Sequence, residues 1–133
     1  MANTILCTID FSESSTQALK WAAELAIRYT CHLTVLFPYR LTQIPKADAK
    51  EMKENIMASA SEKFAVLKND FLIGKVASFD FTAEVGFLAD RIDDHQRKNS
   101  ILMVVISKKM SLLGEERLDD LIAKIKVPMM IIP

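Results

Sequence analysis

The sequence predicts an α/β fold with a parallel sheet covered by helices on both faces. Three observations carry that expectation. Short β-branched runs alternate with helix-period segments along the whole chain. One run, Ile101 to Ile106, is apolar at every position, as a strand buried on both faces requires. Each apolar run also gives way to a polar or glycine turn followed by a helical pattern, which favours crossovers over hairpins. The 133 residues fit one domain spanning 1–133.

The first strand is Thr4 to Ile9, a short and nearly continuous apolar run. Asp10-Phe11-Ser12-Glu13-Ser14 ends it with helix-start chemistry. Ser14 with Gln17 has capping-box spacing, and Ser12 is an alternative cap. The helix extends to about Tyr29, with Ala18, Leu19, Ala22, Leu25, Ala26 and Tyr29 on one apolar face. His32 to Phe37 is the second strand, with Pro38 expected to end it because proline cannot donate to a ladder. After a loop containing Pro45, a long helix runs from about Ala47 to Asn69, with Met52, Ile56, Ala60, Phe64 and Leu67 on one stripe.

From Ser78 to Val85 the period becomes two. Phe79, Phe81, Ala83 and Val85 lie on one face, and Ser78, Asp80, Thr82 and Glu84 on the other, the pattern of an edge strand covered on one side. Gly86 breaks that strand before a helix of roughly Phe87 to Lys98, with Leu88, Ala89 and Ile92 inward. Ile101 to Ile106 follows as a central strand. A loop through Gly114 leads to a last helix carrying Leu118, Leu121, Ile122 and Ile125. Val127-Pro128 ends that helix, and Met129 to Ile132 closes the fold as a fifth strand.

Composition narrows the function classes. The chain is 50% hydrophobic and 26% charged, enough for a core without metal or disulfide staples. Its 17 basic and 17 acidic side chains cancel, whereas a protein relying on phosphate-backbone contacts carries a basic excess. Neither nucleic acid nor a membrane is therefore an expected partner. No apolar run reaches the length of a membrane span, and no basic leader precedes the first strand. Cys7 and Cys31, the two cysteines, lack metal-ligand spacing and read as buried hydrophobes in a reducing, cytoplasmic protein. The seven methionines are spaced as core fillers.

In an open parallel sheet, ligands sit beyond the carboxyl ends of the strands. That places interest on Asp10 to Ser14, Phe37 to Arg40, Gly86 and Ser107 to Gly114. Asp10 reads either as a ligand contact, for example to ribose hydroxyls, or as a turn residue bonding nearby amides. No second carboxylate accompanies it, as Mg²⁺-dependent phosphoacceptor chemistry requires. His32 and His95 have no ligand-spaced companion, and His95 reads as a solvated helix residue. Neither G-x-S-x-G nor G-x-x-x-x-G-K-[ST] occurs, so no enzyme signature is present.

Three segments carry a resemblance along essentially the whole chain: Thr4 to Leu19 with its Asp10-Phe11-Ser12 turn, Glu84-Val85-Gly86, and Val127-Pro128 to Ile132. In order and at these separations they resemble the universal stress protein family. The resemblance implies a five-stranded parallel sheet of order 3-2-1-4-5, in the adenine-nucleotide α-hydrolase-like, Rossmann-like class. It implies a homodimer paired through the last strand, Met129, Met130, Ile131 and Ile132. It also makes Asp10 and Ser12 the nucleotide-contact positions.

ATP-binding members of that family carry G-x2-G-x9-G-[ST] after the fourth strand, where glycines let backbone amides crowd a phosphate. This chain has three glycines, Gly74, Gly86 and Gly114, of which only the last can belong to that motif. Ser107-Lys108-Lys109-Met110 stands where the first two are expected, and Gly114 is followed by Glu115-Glu116. Two carboxylates there repel a triphosphate. Pro38 falls where relatives hold adenine with backbone groups, and it offers no N–H. The expectation is a non-enzymatic, dimeric stress-response protein without ATP or AMP as cofactor. The alternative is a nucleotide-binding switch in which Lys108, Lys109 and Arg117 reach the phosphates beside Gly114.

Overall fold

The computed structural model describes residues 3–41, 46–110 and 117–133. The strands are β1 (Thr4–Thr8), β2 (His32–Tyr39), β3 (Phe79–Val85), β4 (Ile101–Ser107) and β5 (Met129–Ile132). Between them lie α1 (Glu13–Tyr29), α2 (Lys46–Leu67), α3 (Leu88–Lys98) and α4 (Leu118–Lys124). A single π-helical turn, Lys68–Leu72, continues α2. All four strand pairings are parallel, and the order is β3-β2-β1-β4-β5.

Alternation along the inner strands divides the core into two. Ile5, Cys7, Leu33, Val35 and Val105 face α1, α2 and the π turn. Leu6, Leu36, Val104 and Ile106 face α3 and α4, where they meet Leu88, Ile92 and Leu121. A one-residue slip in any of these strands would exchange the two sets of side chains between the two faces. Small residues on α1 (Ala18, Ala22, Ala23 and Ala26, all buried) let that helix lie close to β1 and β4.

Several elements differ in detail from the sequence reading. Ser12, not Ser14, caps α1, its hydroxyl accepting from the Ser15 amide at 3.2 Å. Tyr29 is 59% exposed because α1 ends on it, beyond the sheet. Ile122 is likewise outward, and only Leu121 of α4 is buried. In α2 the inward stripe holds only for the second half: Ala60 and Phe64 are buried, whereas Met52 is exposed. Phe64 stacks on Phe81 of β3 at 4.4 Å and anchors that half of the helix.

Pro38 lies inside β2 rather than ending it, paired in register with Glu84. Backbone direction explains this. Leu33 and Tyr39 bond toward β3, while His32 and Leu36 bond toward β1. By the same alternation Pro38 turns its backbone toward β1. The β1–β2 pairing runs only to Thr8 and Leu36, so no ladder bond is lost at Pro38.

α1 closes on Thr30, which adopts a left-handed conformation at φ 53° while Cys31 N–H bonds Ala26 O at 2.9 Å. A β-branched side chain is disfavoured there. Thr30→Gly is expected to stabilise the fold by about 1 kcal/mol, read as a higher urea midpoint; a lower midpoint contradicts it. Burial pushes the Cys7 thiol up to about 12. The folded chain therefore keeps that proton at pH values where the unfolded one, near about 8.5, has released it. Iodoacetamide at pH 8 should label Cys7 only as fast as the chain unfolds, and stability should fall as pH rises from about 8.5 toward 12. Mass spectrometry of labelled native protein checks the first, and urea midpoints against pH the second.

Candidate functional site

The carboxyl ends of β1, β2 and β4 meet in one crevice of about 280 Å³, bounded by Ile9, Asp10, Pro38, Arg40, Leu88 and Met110. Its floor is set by the turn after β1. Ile9 still bonds back to Leu36 O at 2.9 Å, and the chain then reverses through Phe11, which has φ 64°. That is an unusual conformation for a bulky residue. The Phe11 ring packs edge-on against Phe37 at 4.9 Å and Phe81 at 6.2 Å, which holds it.

Asp10 and Ser12 come together as expected, but they bond one another. Asp10 Oδ1 accepts from the Ser12 amide at 3.0 Å and from the Ser12 hydroxyl at 2.5 Å. The same hydroxyl accepts from Ser15 N to cap α1. The buried Ser15 hydroxyl in turn accepts from the Asp10 amide at 3.2 Å. These bonds make the turn a pre-set element of the fold, with the carboxylate fixed at the crevice wall.

The β2 wall presents Pro38 toward the space that β1 has left. It offers a carbonyl and no N–H, so a base edge needing both a donor and an acceptor from the backbone meets only the acceptor. Next to it, the Arg40 guanidinium lies over the Phe87 ring at 3.9 Å, within cation–π range.

The third wall is the turn after β4, where a phosphate loop would present free amides. Here Lys108 N–H donates to Ile132 O at 2.8 Å, Lys109 N–H to the Ser107 hydroxyl at 3.2 Å, and Met110 N–H to Ser107 O at 3.2 Å. Three successive amides are thus bonded within the protein. Met110 is buried and fills the end of the crevice, its sulfur accepting from the Thr8 hydroxyl at 3.7 Å. The side chains of Lys108 and Lys109 are exposed. Gly114 and the Glu115-Glu116 pair lie outside the described residues. Arg117 is exposed at the start of α4, its amide bonded to Asp120.

Met129 to Ile132 forms an edge strand, pairing β4 on one side only, with Ile131 exposed and Ile132 buried. Sequence reasoning missed a second polar system at the opposite edge. Asp80 accepts from Thr34 and pairs with His32 at 2.7 Å. Glu84 accepts from Thr82 and pairs with His95 at 2.9 Å. His95 is therefore a partly buried partner of β3 rather than a solvated helix residue, because α3 lies against the polar face of that strand. The alternation Asp80, Thr82, Glu84 was the available signal, since a covered face with two carboxylates needs donors above it. Among the described residues no group of three or more His, Cys, Asp or Glu could hold a metal ion, and no helix is long and apolar enough to cross a membrane.

Comparison with known proteins places this geometry. The chain resembles solved structures over nearly its full length. One is the universal stress protein UspA from Lactobacillus plantarum, with TM-score 0.82, 15% identity, and 98% of this chain and 97% of that one covered. A second is a universal stress protein from Archaeoglobus fulgidus in complex with dAMP, with TM-score 0.66, 19% identity and coverage of 100% and 98%. A third is a universal stress protein in complex with cAMP, with TM-score 0.64, 14% identity and coverage of 98% and 96%. By sequence alone, no curated protein matches. The Universal stress protein family profile matches residues 1–133, and the chain belongs to that family.

Proposed function

We propose that this chain acts as a non-enzymatic, homodimeric universal stress protein of the cytoplasm, working through protein or small-ligand contacts rather than through ATP turnover. The observation that carries this reading is the closed turn after β4. Lys108, Lys109 and Met110 all bond their amides internally, so these three backbone donors, at the described start of the connection, are already in use. To free them, the chain would have to break three hydrogen bonds and move a buried methionine.

A second reading, a nucleotide switch, draws on the cAMP and dAMP complexes of two structural neighbours. A single phosphate asks for fewer donors than three, and the side chains of Lys108, Lys109 and Arg117 are exposed at the described ends of the β4–α4 connection. Thermal unfolding with ATP·Mg²⁺, ADP and AMP separates the two. A ligand at about 100 times its Kd adds about 2.7 kcal/mol to stability, a shift of several degrees. The expected result is no shift with any of the three. A shift at micromolar ATP that disappears in Asp10→Ala contradicts the leading reading, and a shift with AMP alone selects the second.

The dimer rests on β5. Its outer backbone edge is unpaired in the single chain, and Ile131 presents an apolar side chain there. Sedimentation equilibrium should give twice the chain mass, and Ile131→Lys should shift the population to monomer. A wild-type monomer contradicts the proposal.

A further inference from the structure

A groove runs along the free edge of β3, and it shares no lining residue with the crevice beside Asp10. Its volume is about 360 Å³, and it is bordered by Lys53 and Met57 of α2, Ala83 and Val85 of β3, and His95 and Lys98 of α3. α2 packs on one face of the sheet and α3 on the other. A space that touches both helices and β3 therefore lies off the edge of the sheet, where a sixth strand would go. The β3 register shows which backbone groups it meets. Leu33 N–H bonds Ser78 O at 3.0 Å and Gly86 N–H bonds Tyr39 O at 2.8 Å. Ser78, Asp80, Thr82, Glu84 and Gly86 thus turn their amides and carbonyls toward β2. The alternate set, Phe79, Phe81, Ala83 and Val85, turns its own outward, and no described strand pairs with them.

Edge strands are ordinarily blunted by a proline, a bulge, shortness or free charge. β3 is seven residues long, keeps an unbroken register with β2 and has no proline. Its two carboxylates are committed to neighbouring elements, Asp80 to His32 at 2.7 Å and Glu84 to His95 at 2.9 Å. On the α3 rim, Asp94 is held by Arg91 at 2.8 Å. Lys53 and Lys98, both exposed, belong to none of the described ion pairs. One unmatched ammonium therefore borders the groove from each face of the sheet. Met57 and Val85 are also exposed and add apolar surface on the α2 side.

We propose that the free edge of β3 takes up an extended acidic peptide segment of a partner protein as a sixth strand. The segment's backbone bonds the outward amides and carbonyls of Ala83 and Val85. Successive side chains of a strand point to opposite faces, so two neighbouring carboxylates reach Lys53 on one side and Lys98 on the other. A basic segment finds no free counter-charge, since Glu84 and Asp94 are already paired. A second copy of this chain fits less well. Its β5 edge, Met129 to Ile132, carries no charge for either lysine, and its β3 holds both carboxylates on one face. The groove uses neither the Asp10 crevice nor β5, so it stands whether or not a nucleotide binds or the chain dimerises.

The test is a titration of the full chain with the blocked octapeptide acetyl-SVEDVTVS-amide, followed in amide ¹⁵N–¹H spectra. It should saturate below millimolar concentration, with the largest shifts at Phe81, Ala83 and Val85 and slowed solvent exchange at the last two. The neutral counterpart SVQNVTVS should bind more weakly, and Lys53→Glu and Lys98→Glu should each weaken the acidic peptide by about threefold or more. The acidic peptide N-methylated at three successive central residues keeps its charges but cannot pair, and should not bind. Ala83→Pro removes an outward N–H and no bond to β2, so it should keep its fold by circular dichroism and lose the peptide. Failure of the acidic peptide to saturate overturns the proposal. So does equal binding of the neutral or the N-methylated peptide, unchanged affinity in both lysine variants, or a folded Ala83→Pro protein that still binds. Shifts at Ala83 and Val85 that track protein concentration without peptide assign the edge to a second copy and overturn it as well.

Discussion

A parallel sheet leaves the backbone just past the carboxyl ends of its strands without ladder partners, and the destination of those amides determines what its crevice can hold. In this protein they turn inward. The turn after β1 is closed by the cycle of Asp10, Ser12 and Ser15, and the turn after β4 by Ser107 and the carbonyl of Ile132. The same bonds that finish the sheet occupy the amides of Lys108, Lys109 and Met110 at the described start of the β4–α4 connection. Met110 completes the arrangement, since a buried side chain at that position occupies space that a glycine would leave open.

Most of the architecture was legible in the sequence because burial on both faces leaves a distinctive record. Ile101 to Ile106 could only be an inner strand, and it lies between β1 and β5. The alternating run to Val85 marked an edge, where β3 is found. Pro38 was misread because the rule against proline in strands assumes partners on both sides. At the point where β1 stops, β2 has a partner on one side only, and the missing N–H costs nothing. The outer ends of helices were misread for a related reason. Tyr29, Met52 and Ile122 continue an apolar stripe past the area of sheet that the stripe covers. Periodicity records which face is inward and does not record where the sheet ends.

The site was legible to a different degree. Of the three glycines, Gly74 and Gly86 each hold a positive φ in a turn of their own, as the glycine count required, and Gly114 lies outside the described residues. At Gly86 an added Cβ would also approach Arg91 Nε to 2.9 Å. What the sequence did not carry was the pairing across elements. Asp80 with His32, and Glu84 with His95, join residues 48 and 11 positions apart, and only the β3 register and the placement of α3 bring them together. The unpaired, buried Tyr39 hydroxyl was equally hidden, since no pattern in the sequence marks it.

The central claim is that the amides of Lys108, Lys109 and Met110 are committed within the protein and unavailable to a phosphate. Amide ¹⁵N–¹H spectra recorded during a titration with ATP·Mg²⁺ test it at the atoms concerned. The account predicts that these three resonances stay in place through millimolar nucleotide and that their exchange with solvent is slow. Saturable movement of the three at micromolar ATP, or rapid exchange in the free protein, would contradict it.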